Sequence, residues 1–159
     1  MPPVWILEGN LNHSARAQNL FIHCLAELGV GLAVAAEPYR VADRPNWVAH
    51  ALGSVVIVGS DTAALRVFAR GDGFIGAECG GLALIGVYAP PSAPLAAFEC
   101  LLDGVRDALS RSPVARTLVL GNFNVQRLAL GVHGVGWPGN GREGSGGAGV
   151  GGERGPPAA

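Results

Sequence analysis

Apolar residues in this chain fall into short unbroken runs separated by turn residues, with two longer stretches that repeat at helical spacing. Val4 to Leu7, Val30 to Ala35, Val55 to Val58, Phe74 to Cys79, Leu82 to Val87 and Thr117 to Leu120 are runs of four to six residues. Continuous apolar runs of that length predict strands covered on both faces. Gly80-Gly81 between two of them predicts a hairpin turn, and the stretch from Val55 to Val87 reads as a β-meander. Between the first two runs, Ala17, Phe21, Cys24, Leu25 and Leu28 give one apolar helical face, with Ser14 as N-cap and Gly29 as the stop. Gln18, Asn19, His23 and Glu27 are expected on the wet side. After Ser92 and Pro94, the residues Leu95, Phe98, Leu101, Leu102, Val105 and Leu109 mark a second helix. Helices and a meander around buried strands predict a layered α/β body. Residues 38 to 53 read as a functional loop anchored by Trp47.

The pattern fails after residue 130. From Gly131 to the end, 12 of 29 residues are glycine. Such a segment buries too little surface to offset its ordering entropy, so 1–130 is expected as the domain and 131–159 as a disordered tail.

Composition narrows the class. At 159 residues and 49% hydrophobic, the chain is long enough for one domain with a core. A net charge of −1 and a pI near 6.4 lack the basic footprint of a protein that grips nucleic acid mainly through phosphates. A metal-assisted nuclease stays possible, because a cation can meet the phosphate instead. Cys24, Cys79 and Cys100 are widely spaced, which suggests neither a disulfide framework nor a zinc site; Cys24 and Cys100 are expected on the apolar faces of the two helices. Neither a signal peptide nor a run long enough to span a bilayer is visible, so an intracellular location, nuclear or cytoplasmic, is expected, with no membrane partner.

Candidate chemistry sits where the apolar runs end. Thr117 to Leu120 leads into Gly121-Asn122-Phe123-Asn124, where the glycine is expected to end the strand and the two amides to point the same way. An ordinary strand followed by an Asn-rich turn would look the same. Asn10-Leu11-Asn12 follows the first run, Glu37-Pro38-Tyr39 the second, and Tyr88-Ala89-Pro90 the hairpin. Of these groups Glu37 is the best ligand for a hard divalent cation. For Asn10 an Asx turn is the competing explanation, for Glu37 a solvated strand end, and for Tyr88 a ring packed on Pro90. His13 and His50 are loop residues, His23 is on a wet helical face and His133 is in the tail, so no histidine is placed in the chemistry.

The order N-x-N, then E, then Y-x-P, then a Gly-x-Phe-Asn segment resembles the endonuclease/exonuclease/phosphatase family. The local wording is most similar to the apurinic-type endonuclease domain of insect non-LTR retrotransposons. Leu11 to Gln18, Ala36 to Arg40 and Arg44 to Val48 carry that closer likeness, and the resemblance covers roughly residues 4 to 128. It implies an αββα sandwich, truncated here at its C-terminal side, and Mg²⁺-dependent (or Mn²⁺-dependent) hydrolysis of a DNA phosphodiester. It places Asn10 and Glu37 at the metal, Tyr88 and Asn124 at the phosphate, and Asn122 where the family has a water-activating Asp. The family's later Asp and terminal Ser-Asp-His segment have no counterpart, and Glu8 stands where related domains carry Gln. Three readings follow: a nicking endonuclease domain with residual activity; a non-catalytic remnant or weak nucleic-acid binder; or an unrelated small α/β binding module.

Overall fold

The computed structural model describes residues 4–124; the expected tail at 131–159 lies outside the described residues. Eight strands and two helices follow in the order β1 (Ile6–Asn10), α1 (Ala15–Glu27), β2 (Leu32–Ala36), β3 (Trp47–Ala49), β4 (Val55–Gly59), β5 (Arg66–Gly71), β6 (Phe74–Cys79), β7 (Leu82–Ala89), α2 (Leu95–Ser110) and β8 (Thr117–Phe123). They form two four-stranded sheets, ordered β1-β2-β4-β3 and β5-β6-β7-β8. The pairs β1–β2 and β7–β8 are parallel and the rest antiparallel.

Alternation along the buried strands shows how the layers stack. In β2, Leu32 and Val34 join one core while Ala33 and Ala35 join another; in β4, Val55 and Ile57 part in the same way from Val56 and Val58. The first set meets Ile75, Ala77 and Leu84 of the second sheet, and the other set meets Phe21 and Leu25 of α1. A third core joins Phe74, Ile85 and Val87 to Leu101, Val105 and Ala108 of α2. The result is α1, sheet, sheet, α2: the αββα sandwich, and the reason the strands read as unbroken apolar runs.

Several local expectations are corrected. The expected meander is split: β4 pairs with β2 and β3, and the second-sheet meander is β5-β6-β7. β5 was not expected, nor was β3 inside the 38–53 loop; both are half-exposed edge strands, β3 too short at three residues to show a period and β5 broken up by Arg66 and Arg70. Trp47 does anchor that loop, packing against the α1-side core. On α2, Leu102 and Leu109 are exposed, as is Cys100, because only a narrow stripe of the helix meets the sheet. Leu28 is also exposed.

Gln18 departs most from its expected place on the wet side. It is buried, and its side-chain amide donates to the Arg40 carbonyl (3.0 Å) and accepts from the Arg40 N–H (3.1 Å). One side chain thus fixes the backbone three residues after Glu37. Gln18→Ala should cost about 1–2 kcal/mol, because two backbone groups lose their partner. The checks are a lower urea midpoint and faster hydrogen exchange at the Arg40 amide.

Candidate functional site

Parallel pairing puts the C-terminal ends of β1 and β2 side by side, with Asn10 opposite Ala36, and those of β7 and β8 likewise, with Tyr88 opposite Asn122. Face parity completes the grouping. Leu32 and Val34 face the other sheet, as does Ile6 of β1, whose parity Asn10 shares; Glu37 is out of step with that parity and reaches the same side through a left-handed turn of its backbone just past β2. Tyr88 packs on the inter-sheet core, and Leu120, two residues before Asn122, does the same. Asn10, Glu37, Tyr88 and Asn122 therefore stand at one rim of the space between the sheets, as their strand-end positions predict. Asn124 follows the end of β8 and is half-buried.

The contact that ties the two sheets together at this rim is a hydrogen bond from the Tyr88 hydroxyl to Oε1 of Glu37. Glu37 itself has φ 48°, left-handed backbone that a residue with a Cβ seldom adopts. Its neighbours hold it there: its N–H donates to the Ser54 carbonyl (2.8 Å), and its own carbonyl accepts from the His13 N–H (2.8 Å). Asn12 and His13 have positive φ as well, at 46° and 55°. Among the described residues these are all the non-glycine positions in that region of backbone space. Such strain persists where surrounding structure over-determines it, and functional sites are where it gathers.

Asn10 makes the Asx turn that was its alternative explanation: Oδ1 accepts the Asn12 N–H at 2.9 Å. The turn orients the amide and leaves its oxygen a second lone pair. His13, set aside on sequence grounds, belongs to the site. Its Nδ1 lies 3.2 Å from the Pro38 carbonyl and its Nε2 3.9 Å from Glu37 Oε1. The missing signal was the bend after Leu11, which no periodicity encodes. Glu8 is exposed in the middle of β1. His23 is also exposed on α1. His50 is buried, with Nε2 3.4 Å from the Ser54 hydroxyl. Burial pushes its pKa down while Asp72 pulls the other way, and its Nδ1 has no partner among the described residues. His133 lies outside the described residues.

Burial, with the Glu37 carboxylate beside it, pushes the Tyr88 phenol up to about 12 from 10.0. The folded state therefore holds the proton over a range in which the unfolded chain has lost it. The stability this gives is complete below pH 10 and is lost as pH rises toward 12. Wild type should lose stability across that window relative to Tyr88→Phe, which has no phenol to titrate; parallel curves for the two proteins would show that Tyr88 is not held this way.

Gly121 explains how β8 reaches the rim. The strand does not stop there as expected but runs on to Phe123, because Gly121 with φ 142° lies against the backbone of Val87. A Cβ at Gly121 would stand 2.8 Å from Val87 N and C and would overlap its carbonyl oxygen.

The residues can offer a divalent cation one carboxylate and an amide oxygen. No cluster of three or more His, Cys, Asp or Glu side chains suited to a metal occurs among the described residues. Glu37 is the one carboxylate at the rim with a partner from the opposite sheet, and among the described residues no hydrogen bond reaches its Oε2. A cation that keeps several waters needs only one or two carboxylates, so the donor set fits Mg²⁺ at the lower limit of charge.

Comparison with known proteins places the fold. No protein-family profile matches the sequence. Nor does any curated protein. Among solved structures, the endonuclease domain of TRAS1, a telomere-specific non-LTR retrotransposon, is similar with a TM-score of 0.58 at 20% identity, over 79% of this chain and 61% of that one. The 3′-5′ exonuclease NExo from Neisseria meningitidis gives 0.56 at 19% identity, over 74% and 57%. A 3′ phosphatase NExo from Neisseria bound to a product DNA hairpin gives 0.57 at 20%, over 77% and 58%. The fold is shared with these three structures, and the chain spans about three fifths of their length. Among the described residues, no helix is long and apolar enough to cross a membrane.

Proposed function

We propose that this rim is a phosphodiester site of the metal-assisted DNA-nicking type, in which cation and phosphate binding are retained in weak form and water activation is lost. The observation that carries the reading is Glu37, held in left-handed backbone by Ser54 and His13 and tied to Tyr88 of the opposite sheet. The fold, shared with nucleases, is its second support.

Glu37 and Asn10 would hold Mg²⁺, or Mn²⁺ in its place. A bound cation would supply charge for the phosphate oxygens and polarise the scissile bond. Tyr88, a neutral phenol at ordinary pH, gives its one proton to Glu37 and would stand beside the phosphate, and Asn124 would donate an amide hydrogen bond there. Asn122 stands next to Tyr88 on the neighbouring strand, where a water for in-line attack would have to be prepared. An amide is neutral and takes no proton at pH 7. General-base catalysis contributes roughly 10²- to 10⁴-fold in enzymes, so activity falls by at least that much. The alternative, a non-catalytic remnant that binds nucleic acid weakly, differs from this reading in how much chemistry survives.

Cation binding tests the site apart from catalysis. Mn²⁺ should bind with Kd of about 10⁻³ M or weaker, the range of sparsely charged oxygen sites, and Glu37→Ala should abolish it, as read by water-proton relaxation. Binding unchanged in Glu37→Ala would remove the metal from this rim.

A further inference from the structure

We propose that His50 is a positioning residue for Glu37: it ties together the turn that holds the Glu37 backbone, and that turn lets go when the imidazole takes up a proton. The Glu37 N–H donates to the Ser54 carbonyl at 2.8 Å, a hold exerted on a residue whose φ of 48° is strained and relaxes unless its neighbours fix it. Ser54 is placed in turn by His50. The His50 carbonyl accepts the Gly53 N–H at 2.9 Å, its own N–H donates to the Val55 carbonyl at 3.3 Å, and its Nε2 lies 3.4 Å from the Ser54 hydroxyl. Ser54 and the residues on both sides of it are therefore tied to one histidine.

The ring stands where a charge is hard to accept. His50 is only 4% exposed. It continues the register of β3 on β4, opposite Val55, and both Val48 and Val55 belong to the core between the sheets. Its Nδ1 is buried and has no hydrogen-bond partner among the described residues. In the neutral ring one nitrogen carries no proton, so an Nε2–H directed at the Ser54 hydroxyl leaves Nδ1 as a bare acceptor. A proton on Nδ1 turns it into a charged donor without a partner, which a buried position tolerates far less well. Movement of the ring out to water relieves that cost, and a ring that leaves breaks the turn built on it.

The surrounding charges point the same way. β3, β4 and the turn between them carry no titratable side chain besides His50. Glu37, His13 and Tyr88 at the rim are engaged with one another. Burial holds the His50 pKa below its ordinary 6.5, against the carboxylate of Asp72 in the exposed turn between β5 and β6, which pulls it up. The closed turn therefore has its full stability above pH 6.5 and loses it as pH falls below that, through the lowered value. The effect on a cation rests on the phosphodiester reading of the rim, because Glu37 is its carboxylate; the effect on the Glu37 backbone does not.

The test is the protection of the Glu37 amide against hydrogen exchange in the full chain, corrected for the intrinsic rate, from about pH 8 down to about pH 5. Protection should fall by at least about threefold over this range, at the midpoint of the His50 ring titration, which NMR reads in the same samples. His50→Gln, with an uncharged side chain, should make protection independent of pH. His13→Gln, which removes the other imidazole near Glu37, should leave the fall in place. Asp72→Asn keeps His50 and should move the midpoint to lower pH, an outcome that asks for no change in the turn itself. Flat protection in wild type, a fall that survives His50→Gln or vanishes in His13→Gln, or a midpoint unmoved by Asp72→Asn would overturn the proposal. Mn²⁺ affinity, read by water-proton relaxation in the His13→Gln chain, should weaken at the same midpoint, and an affinity indifferent to it would also overturn the proposal. No Mn²⁺ binding at any pH, with the amide pattern as expected, would refute the cation reading of the rim while supporting the hold of His50 on Glu37.

Discussion

Gly121→Ala is expected to lower stability by about 3 kcal/mol or more, because among the described glycines it lies nearest to a neighbouring backbone. Two costs add. The residue sits at φ 142°, where a Cβ is strained whatever the space around it, and the methyl would overlap the carbonyl of Val87 on the neighbouring strand. The clash is with backbone, which cannot swing aside as a side chain does. Relief requires β8 to separate from β7 at the register of Tyr88 and Asn122, so the rim should open as the strand loosens. The urea midpoint measures the first effect and amide exchange along Tyr88 to Phe123 the second. A midpoint within about 0.5 kcal/mol of wild type would show that β8 does not press against Val87. Gly86→Ala is a useful comparison: its added methyl would lie 3.1 Å from side-chain atoms of Val34 and Val55, which can move, so a smaller loss is expected there.

Much of this architecture is legible in the chain because its buried strands are covered on both faces. Val55 to Val58 and Leu82 to Val87 can be nothing but apolar, and the glycine pair at 80–81, with φ of 60° and 84°, supplies the turn between β6 and β7 that the sequence announces. Ser14 and Gly29 bound α1 as their chemistry dictates, the Ser14 hydroxyl accepting the Ala17 N–H at 3.2 Å and Gly29 adopting φ 60°. Two edge strands were hidden, β3 because it has only three residues and β5 because it lies half in water. β5 is half exposed and blunted with arginines, one of which, Arg66, donates to the buried Glu78 at 2.8 Å. The Gly81 N–H first, and then Arg66, hold the Glu78 carboxyl below its ordinary range. Sheet assignment was hidden too, since nothing local in β4 says whether it continues the first sheet or opens a second.

The rim was legible as a set of strand ends. Asn10, Glu37, Tyr88 and Asn122 each close an apolar run, and layered α/β folds place ligand groups at such ends. How they are held was not legible. The left-handed backbone at Asn12, His13 and Glu37, the donation from Tyr88 to Glu37 and the clamp of Gln18 on Arg40 all join residues distant in sequence through conformations that no periodicity encodes.

The second large effect concerns chemistry, and it follows from two separate deficits. Asn122 has no carboxylate with which to prepare a water. Among the described residues the rim also brings a single carboxylate, Glu37, to the cation that the proposed reading needs. Catalytic groups that act as a unit are not additive, so restoring one while others are absent recovers little. Nicking of supercoiled DNA with Mg²⁺ by the chain as it stands, by Asn122→Asp, and by Asn122→Asp combined with Glu37→Ala measures this directly. The expected result is background nicking in all three. Strong nicking by Asn122→Asp that disappears when Glu37→Ala is added would contradict the account, for it would show a complete site at this rim, disabled by a single amide.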